Sequence, residues 1–196
     1  RGTQTMIDGK NLRKLTLASM FAAMAFVCFA YLRIEIPMGG GMTGKIYIGH
    51  AFIILSALLL GGKYGALTGA VGLTLADILA GYMTSAPPTF LSKLLIGLSA
   101  GFFAHNIMHL NELTDEKKIY TATLIASIGS CLVNVVTEPL IRYAFKVYIL
   151  GYAPQVAELS SINCAISMAT SAVPSVVIAV LLYNVVRNRI KLQEIY

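Results

Sequence analysis

The sequence contains no tryptophan, and only 12% of its 196 residues are charged. Soluble domains carry about 25% charged residues, so this scarcity of charge excludes an ordinary water-soluble domain. Hydrophobic residues make up 57% of the chain, and the mean hydropathy is +0.73. Most of the chain is therefore expected to lie in a lipid bilayer.

Cysteine is also scarce. Cys28, Cys131 and Cys164 lie far apart in apolar runs, whereas metal-binding and redox motifs place cysteines close together. We interpret them as small buried hydrophobic residues and expect no disulfide framework, no resident metal and no cofactor. His105 and His109 are four residues apart, but no third ligand of suitable spacing accompanies them. They are interpreted as an interfacial pair.

Acidic residues are outnumbered by basic ones, nine to 15, so the formal net charge is +6. The lysines and arginines fall mainly between apolar segments, which is typical of membrane orientation signals. Nucleic acid is therefore not expected as a partner. A glycine-rich phosphate loop with its lysine is also missing, so the chain is not expected to hydrolyse a nucleotide by itself.

Six segments approach or reach the roughly 20 apolar residues that a helix needs to cross a bilayer. The sequence predicts an all-α protein, an integral membrane bundle of six transmembrane helices that forms a single domain over residues 6–196. Arg1 to Thr5 precede Met6 and are interpreted as a cloning remnant. The predicted helices are Leu12–Leu32, Tyr47–Leu60, Tyr64–Tyr82, Thr89–Met108, Lys118–Tyr148 and Ser160–Val186.

The connection between the first two predicted helices is unusual. It reads "RIEIPMGGGMTGK", from Arg33 to Lys45, with alternating side chains, one proline and then three consecutive glycines. Gly39–Gly41 give this segment more freedom than a tight turn needs. We predict that the segment folds over the membrane face as a lid.

Positive charge is unevenly divided between the two ends of the predicted bundle. One end has Arg33, Lys45, Lys93, Arg142 and Lys146. The other end has Arg1, Lys10, Arg13, Lys14, Lys63, Lys117, Lys118, Arg187, Arg189 and Lys191. Because cytoplasmic segments carry the excess of lysine and arginine, both termini are predicted to be cytoplasmic.

The fifth predicted helix carries a polar stripe. Asn134, Glu138 and Arg142 are four residues apart and so share one helix face, while Pro139 permits a kink there. A rise of about 1.5 Å per residue brings this stripe towards the outer membrane surface. The helix is predicted to form one wall of a pocket that opens to the outside.

Other predicted helices carry polar residues at a similar depth, and ionisable residues inside a membrane are costly enough to suggest a function. The predicted substrate-binding residues are Tyr47, His50, Asp77, Lys93, Asn134, Glu138, Arg142 and Asn163.

Each of these residues also has a structural interpretation. Glu138 and Arg142 could form an ordinary helical ion pair, and Asp77 could pair with Lys93 to hold two neighbouring helices together. The two asparagines could hydrogen-bond between helices. Tyr47 and His50 could be interfacial anchors.

The first predicted helix has a face of small residues. Ala18 and Ala22 are four residues apart, with Ser19 and Ala23 beside them, so another helix can approach this face closely. Packing within the chain and contact with a partner both remain open.

Four features together resemble the substrate-binding S component of an energy-coupling factor (ECF) vitamin transporter. They are the alanine pair A-x-x-x-A, the six helices, the long first connection, and the stretch "ADILAGYMTSAPPTFLSKLLIGLSAGFF". The similarity covers nearly the whole chain from Met6 onward. The third and fourth helices are most similar to the riboflavin-type branch, which includes carriers for hydroxymethylpyrimidine and pyridoxine.

The resemblance implies a subunit of the bacterial cell membrane without catalytic activity that captures a vitamin on the outside. A membrane coupling subunit and two ATPases would drive uptake, with Ala18 and Ala22 facing the coupling subunit, and the S component would topple to present its ligand inside. The polar residues and the absence of tryptophan favour a small ligand such as hydroxymethylpyrimidine or a form of vitamin B6.

Four alternatives to this interpretation remain. The ligand could be riboflavin or pantothenate, or the chain could carry a substrate without partners. An intramembrane enzyme using Asp77 or Glu138 as acid or base is the fourth, although a nucleophile with an adjacent base is missing.

Overall fold

The computed structural model describes residues 9–38 and 42–189. It contains the predicted six α-helices: α1 (Gly9–Tyr31), α2 (Gly49–Leu60), α3 (Gly62–Leu79), α4 (Ala86–Gly101), α5 (Glu116–Ala144) and α6 (Pro154–Arg189). Helices α4 and α5 continue into π-helical turns, Phe102–Ile107 and Phe145–Ile149. Short 3-10 turns lie at Met83–Ser85 and Leu110–Glu112. The interpretation of Arg1 to Thr5 falls outside the described residues.

Within the described residues, four helical segments are long and apolar enough to cross a membrane by length and composition: Gly9–Tyr31, Met83–Ile107, Glu116–Ile149 and Pro154–Arg187. Helix α2 has only 12 residues, about 18 Å of helix, against a hydrocarbon layer of about 30 Å. Every residue of α2 is buried. It packs against α1, α3, α4 and α6, so α2 is the central helix of the bundle.

The connection after α1 forms a β-hairpin, which the sequence did not predict. Its strands are β1 (Ile34–Met38) and β2 (Met42–Ile46), paired antiparallel with Glu35 opposite Lys45. The side chains of this segment alternate in the way that is typical of a β-strand. The segment forms two strands although it is rich in glycine. Gly39–Gly41, on which the lid prediction depended, lie outside the described residues.

Helix α6 begins earlier than predicted. The sequence placed its start at Ser160, whereas Pro154 is the first residue of the helix. Proline is favoured in the first helical turn because the amide it lacks has no partner there in any case. Gly151 just before it has a φ of 68°, which glycine adopts without strain.

Helices α3 and α4 touch at the end of the bundle opposite the hairpin. A Cβ atom added to Gly97 would overlap backbone atoms of Gly65 and Ala66, and one added to Gly101 would overlap those of Gly62. The two backbones are therefore in direct contact at this end. At the hairpin end, the same two helices hold Asp77 and Thr89, both buried.

Candidate substrate-binding cavity

A cavity of about 380 Å³ lies at the hairpin end of the bundle. Its wall is formed by all the long helices, the hairpin and the turn after α3. The lining residues are Phe29, Lys45, Tyr47, Leu73, Asp77, Tyr82, Ser85, Thr89, Glu138, Arg142, Lys146, Ser160, Asn163, Cys164, Ser167 and Met168.

Five of the eight predicted substrate-binding residues line this cavity. They are Tyr47, Asp77, Glu138, Arg142 and Asn163. They come from the segment before α2 and from α3, α5 and α6. These residues are distant in the sequence and were predicted to lie at a similar depth, and they meet at one cavity.

The other three predicted residues lie behind the cavity wall. The Lys93 side chain is buried, and its ammonium group contacts the Glu138 carboxylate and lies 2.8 Å from His50 Nε2. An ammonium group can only donate, so His50 Nε2 accepts from it. Asn134 Nδ2 lies 3.5 Å from the sulfur of Met168, which lines the cavity. These residues support the wall rather than form its surface.

The alternative pairing of Asp77 with Lys93 is wrong. Lys93 pairs with Glu138, and Asp77 Oδ2 instead accepts a 2.5 Å hydrogen bond from Thr89 Oγ1. Thr89 is one helical turn before Lys93 in α4, so it is the residue of α4 that stands opposite Asp77 in α3. The alternative pairing of Glu138 with Arg142 is present: Arg142 donates from Nε at 3.1 Å and from Nη2 at 2.8 Å to Glu138 Oε1.

Thr89 connects two walls of the cavity, and the sequence analysis did not identify it. While donating to Asp77, its hydroxyl accepts a 2.9 Å hydrogen bond from Arg142 Nη2. One uncharged side chain thus holds an acidic residue of α3 and a basic residue of α5 in fixed positions.

These contacts form one continuous polar chain. Tyr47 Oη lies 3.2 Å from His50 Nε2, which continues the chain behind the wall. In order, the members are Tyr47, His50, Lys93, Glu138, Arg142, Thr89 and Asp77. Its two cations and two anions alternate along the series. Every buried charge among these seven residues therefore has a polar partner, as burial requires. We call these seven residues the polar chain.

Hydrogen-bond capacity inside the cavity is left unused. Ser167 is 4% exposed, lines the cavity, and its Oγ has no hydrogen-bond partner among the described residues. A buried hydroxyl without a partner is costly. A polar ligand in the cavity would supply the missing contact.

Sequence spacing could have identified two further groups of lining residues. Lys146 follows Arg142 by four residues and extends the stripe of α5 by one turn. On α6, residues at spacings of three and four form a matching stripe: Ser160, Asn163, Cys164, Ser167 and Met168. This stripe is not apparent from the sequence, because serines in a membrane helix are common and carry no charge.

The hairpin closes the cavity against aromatic rings. Lys45 Nζ lies 3.1 Å from the centre of the Tyr82 ring and 5.4 Å from that of Phe29. The guanidinium carbon of Arg33 lies 5.4 Å from the Phe29 centre and 5.7 Å from that of Tyr82. Burial lowers the pKa of Lys45 to about 8, although the negative charge of Asp77 opposes this effect.

Ala18 and Ala22 line a second, apolar groove of about 490 Å³ between α1 and α3. Ala18 is 3% exposed, and its carbonyl accepts a 3.1 Å hydrogen bond from Thr68. The carbonyl of Ala22 lies so close to Gly72 that an added Cβ would be 2.6 Å away. Both alanines therefore pack against α3, which leaves partner contact as a prediction.

Comparison with known proteins shows what kind of protein has this architecture. The family model described as "ECF-type riboflavin transporter, S component" matches residues 9–188. The chain belongs to this family. Among curated protein sequences, none matches it.

Two solved structures share the fold of this S component. One is described as the S component of a bacterial ECF transporter, with a TM-score of 0.58 and 23% identity over 90% of this chain and 96% of that one. The other is the S component for biotin from an ECF-type ABC transporter, with a TM-score of 0.62 and 15% identity over 92% and 94% of the two chains.

Membership confirms the family predicted from the sequence. S components are multi-pass membrane proteins that bind a small vitamin without catalysis and work together with an ECF module. Membership in this family of non-catalytic subunits argues against the intramembrane-enzyme alternative.

Proposed function

We propose that this S component binds a small, polar, heterocyclic vitamin of the pyrimidine or pyridine type, such as hydroxymethylpyrimidine or a form of vitamin B6. The vitamin would lie in the cavity at the hairpin end and contact Asp77, Glu138, Arg142, Asn163 and the other lining groups. The observation that carries the proposal is the convergence of these polar residues on one cavity. Lys93, His50 and Asn134 would hold the wall from behind.

The size and chemistry of the cavity support a small ligand. Its volume of about 380 Å³ lies near the lower end of the roughly 300–1,000 Å³ of ligand pockets. Carboxylates accept hydrogen bonds, the guanidinium group donates them, and amide and hydroxyl groups do both. Phe29, Tyr47 and Tyr82 add aromatic rings to the lining, and such rings pack favourably against a flat heterocycle.

Uptake would run from the hairpin end to the opposite end. We propose that the hairpin end faces the outside and that both termini are cytoplasmic, because the end with fewer positive charges is the exterior one. A coupling subunit with two ATPases would provide the drive. Residues 6–196 would act as one membrane domain, and the coupling subunit would approach Ala18 and Ala22 through their exposed neighbours Ser19 and Ala23.

Riboflavin is the second candidate, and the observation in its favour is the description of the matching family model. Its three-ring system is larger than a pyrimidine or a pyridine. Riboflavin would therefore occupy more of the cavity of about 380 Å³.

Identification of a retained ligand tests the proposal directly. The protein is purified in detergent and extracted with acid, and the extract is analysed by mass spectrometry beside calorimetric titration with a vitamin panel. A stoichiometric pyrimidine or pyridine vitamin would support the proposal. Riboflavin in the extract would favour the second candidate, and failure of every vitamin in both assays would refute vitamin binding.

A pair of serine variants tests the location of the site. Ser167 and Ser175 are both in α6, both buried, and neither Oγ has a partner among the described residues, but only Ser167 lines the cavity. We expect Ser167→Ala to weaken binding of the identified vitamin about tenfold, because one hydrogen bond is lost. Ser175→Ala should leave the affinity unchanged. Equal affinities of the two variants would place the site elsewhere.

A further inference from the structure

Two lysines line the cavity without a carboxylate partner. Lys45 extends from the hairpin, and Lys146 from the π-helical turn after α5. Among the described residues, no ion pair joins either of them to an acidic side chain. Lys146 donates to the hydroxyl of Ser160, and Lys45 lies on the ring of Tyr82. A hydroxyl and an aromatic ring stabilise an ammonium group without cancelling its charge.

The remaining charges around the cavity cancel one another. The polar chain has two cations, Lys93 and Arg142, and two anions, Glu138 and Asp77. In the hairpin, Glu35 stands opposite Lys45, but its carboxylate pairs with Arg33 at 3.1 Å.

The two lysines therefore leave a net charge of about +2 on the cavity.

We infer that the vitamin bound by this cavity carries an acidic group, a carboxylate or a phosphate, and that Lys45 and Lys146 receive it. The inference rests on the proposed function and narrows it to vitamins with an acidic group, such as a phosphorylated form of vitamin B6, and it excludes the neutral hydroxymethylpyrimidine. An acidic group on the vitamin would supply the missing counter-charge in the cavity that both lysines line, and charge-assisted hydrogen bonds to carboxylate and phosphate are strong. The polar chain would then bind the heterocyclic part of the vitamin.

A different role for Lys45 would be to hold the hairpin closed on Tyr82. The two roles differ in their dependence on the ligand. If Lys45 only holds the hairpin closed, it should strengthen the binding of acidic and neutral ligands equally. If it receives a negative charge, it should strengthen the binding of acidic ligands only. Comparing the affinities of acidic and neutral ligands therefore distinguishes the two roles of Lys45.

The test uses matched pairs of acidic and neutral compounds, titrated calorimetrically into the purified protein at pH 7. Suitable pairs are nicotinate with nicotinamide, pyridoxine 5′-phosphate with pyridoxine, flavin mononucleotide with riboflavin, and biotin with biotinamide. The carboxylate pairs and the phosphate pairs distinguish the two kinds of acidic group. The variants are Lys45→Gln and Lys146→Gln, with Lys63→Gln at the opposite end of the bundle as control.

We expect the acidic member of the best-bound pair to bind at least about tenfold more tightly than its neutral partner. Each cavity variant should remove most of that preference, and the control should keep it. Tighter binding of a neutral compound, or an equal loss for both members in the variants, would overturn the inference while leaving vitamin binding intact. Failure of all eight compounds and of hydroxymethylpyrimidine, together with an empty extract, would overturn the proposed function as well.

Discussion

The two ends of the α3–α4 pair are built on opposite principles. At one end, Gly62 and Gly65 meet Gly101 and Gly97 with backbones in contact, which is how membrane helices pack closely without polar groups. At the hairpin end, the same helices hold charged and hydroxyl side chains that reach α5. The glycine end fixes the helices by shape, and the polar end fixes the cavity by hydrogen bonds. Four predictions test this division, in order of decreasing effect.

Removing the central charge of the polar chain should have the largest effect. Glu138→Gln leaves Lys93 and Arg142 buried without their shared counter-charge, so we expect the free energy of unfolding to fall by about 3–5 kcal/mol. The measurement is unfolding of the purified protein in detergent. The double variant Glu138→Gln with Lys93→Met restores charge balance and should recover much of the loss. If Glu138→Gln alone is as stable as the wild type, the polar chain does not stabilise the fold.

Filling the contact between the glycines should have the next largest effect. Gly97→Ala places a Cβ into the backbone of Gly65 and Ala66, and overpacking of this kind costs about 1–3 kcal/mol. In Gly129→Ala, the matched control in α5, the added Cβ meets only the ring of Phe103 at 3.1 Å. The unfolding temperatures of the two variants are compared. An equal change would mean that α3 and α4 are not in contact.

Thr89→Val should disturb the cavity more than the fold. The isosteric change removes the hydroxyl that joins Asp77 to Arg142, and we expect about a tenfold loss of vitamin affinity, equivalent to about 1.4 kcal/mol. Thr137→Val is the control, since the Thr137 hydroxyl bonds only to the carbonyl of Val133 in its own helix. Calorimetric titration of both variants decides the question. Identical affinities would remove Thr89 from the site.

The smallest expected effect is a pH dependence. Burial lowers the pKa of Lys45 from 10.5 to about 8, so its charge is lost as the pH rises through 8. The charged and titratable groups around it are Arg33, Glu35, Asp77, Tyr82 and Arg142. If the bound vitamin is acidic, its affinity should be about fourfold lower at pH 8.5 than at pH 7, because the protonated fraction falls by that factor.

Two controls accompany this titration. The Lys45→Gln variant has no titratable group at this position. Its affinity for the acidic vitamin should therefore stay nearly constant between pH 7 and 8.5. A neutral analogue should also bind equally at both pH values. If the wild-type affinity for the acidic vitamin is unchanged between pH 7 and 8.5, Lys45 does not contact the ligand.

Much of the fold and five of the 16 residues that line the cavity could be predicted, because membranes restrict the choices. A run of apolar residues long enough to span lipid must be helical, so the six helices could be predicted. The spacing of Asn134, Glu138 and Arg142 placed them on one face. Thr89 could not be found in this way, because its importance depends on two charged neighbours that are 12 and 53 residues away in the sequence.

The sequence by itself determined the membrane location, the six helices, the family and the depth at which polar residues meet. These properties depend on local composition and on helical spacing, which are fixed before the helices pack. Only the tertiary structure decided that Lys93 pairs with Glu138 rather than with Asp77, and that Lys45 reaches the cavity through a hairpin. Those choices depend on how the helices and the hairpin pack against one another, which no single segment of the chain encodes.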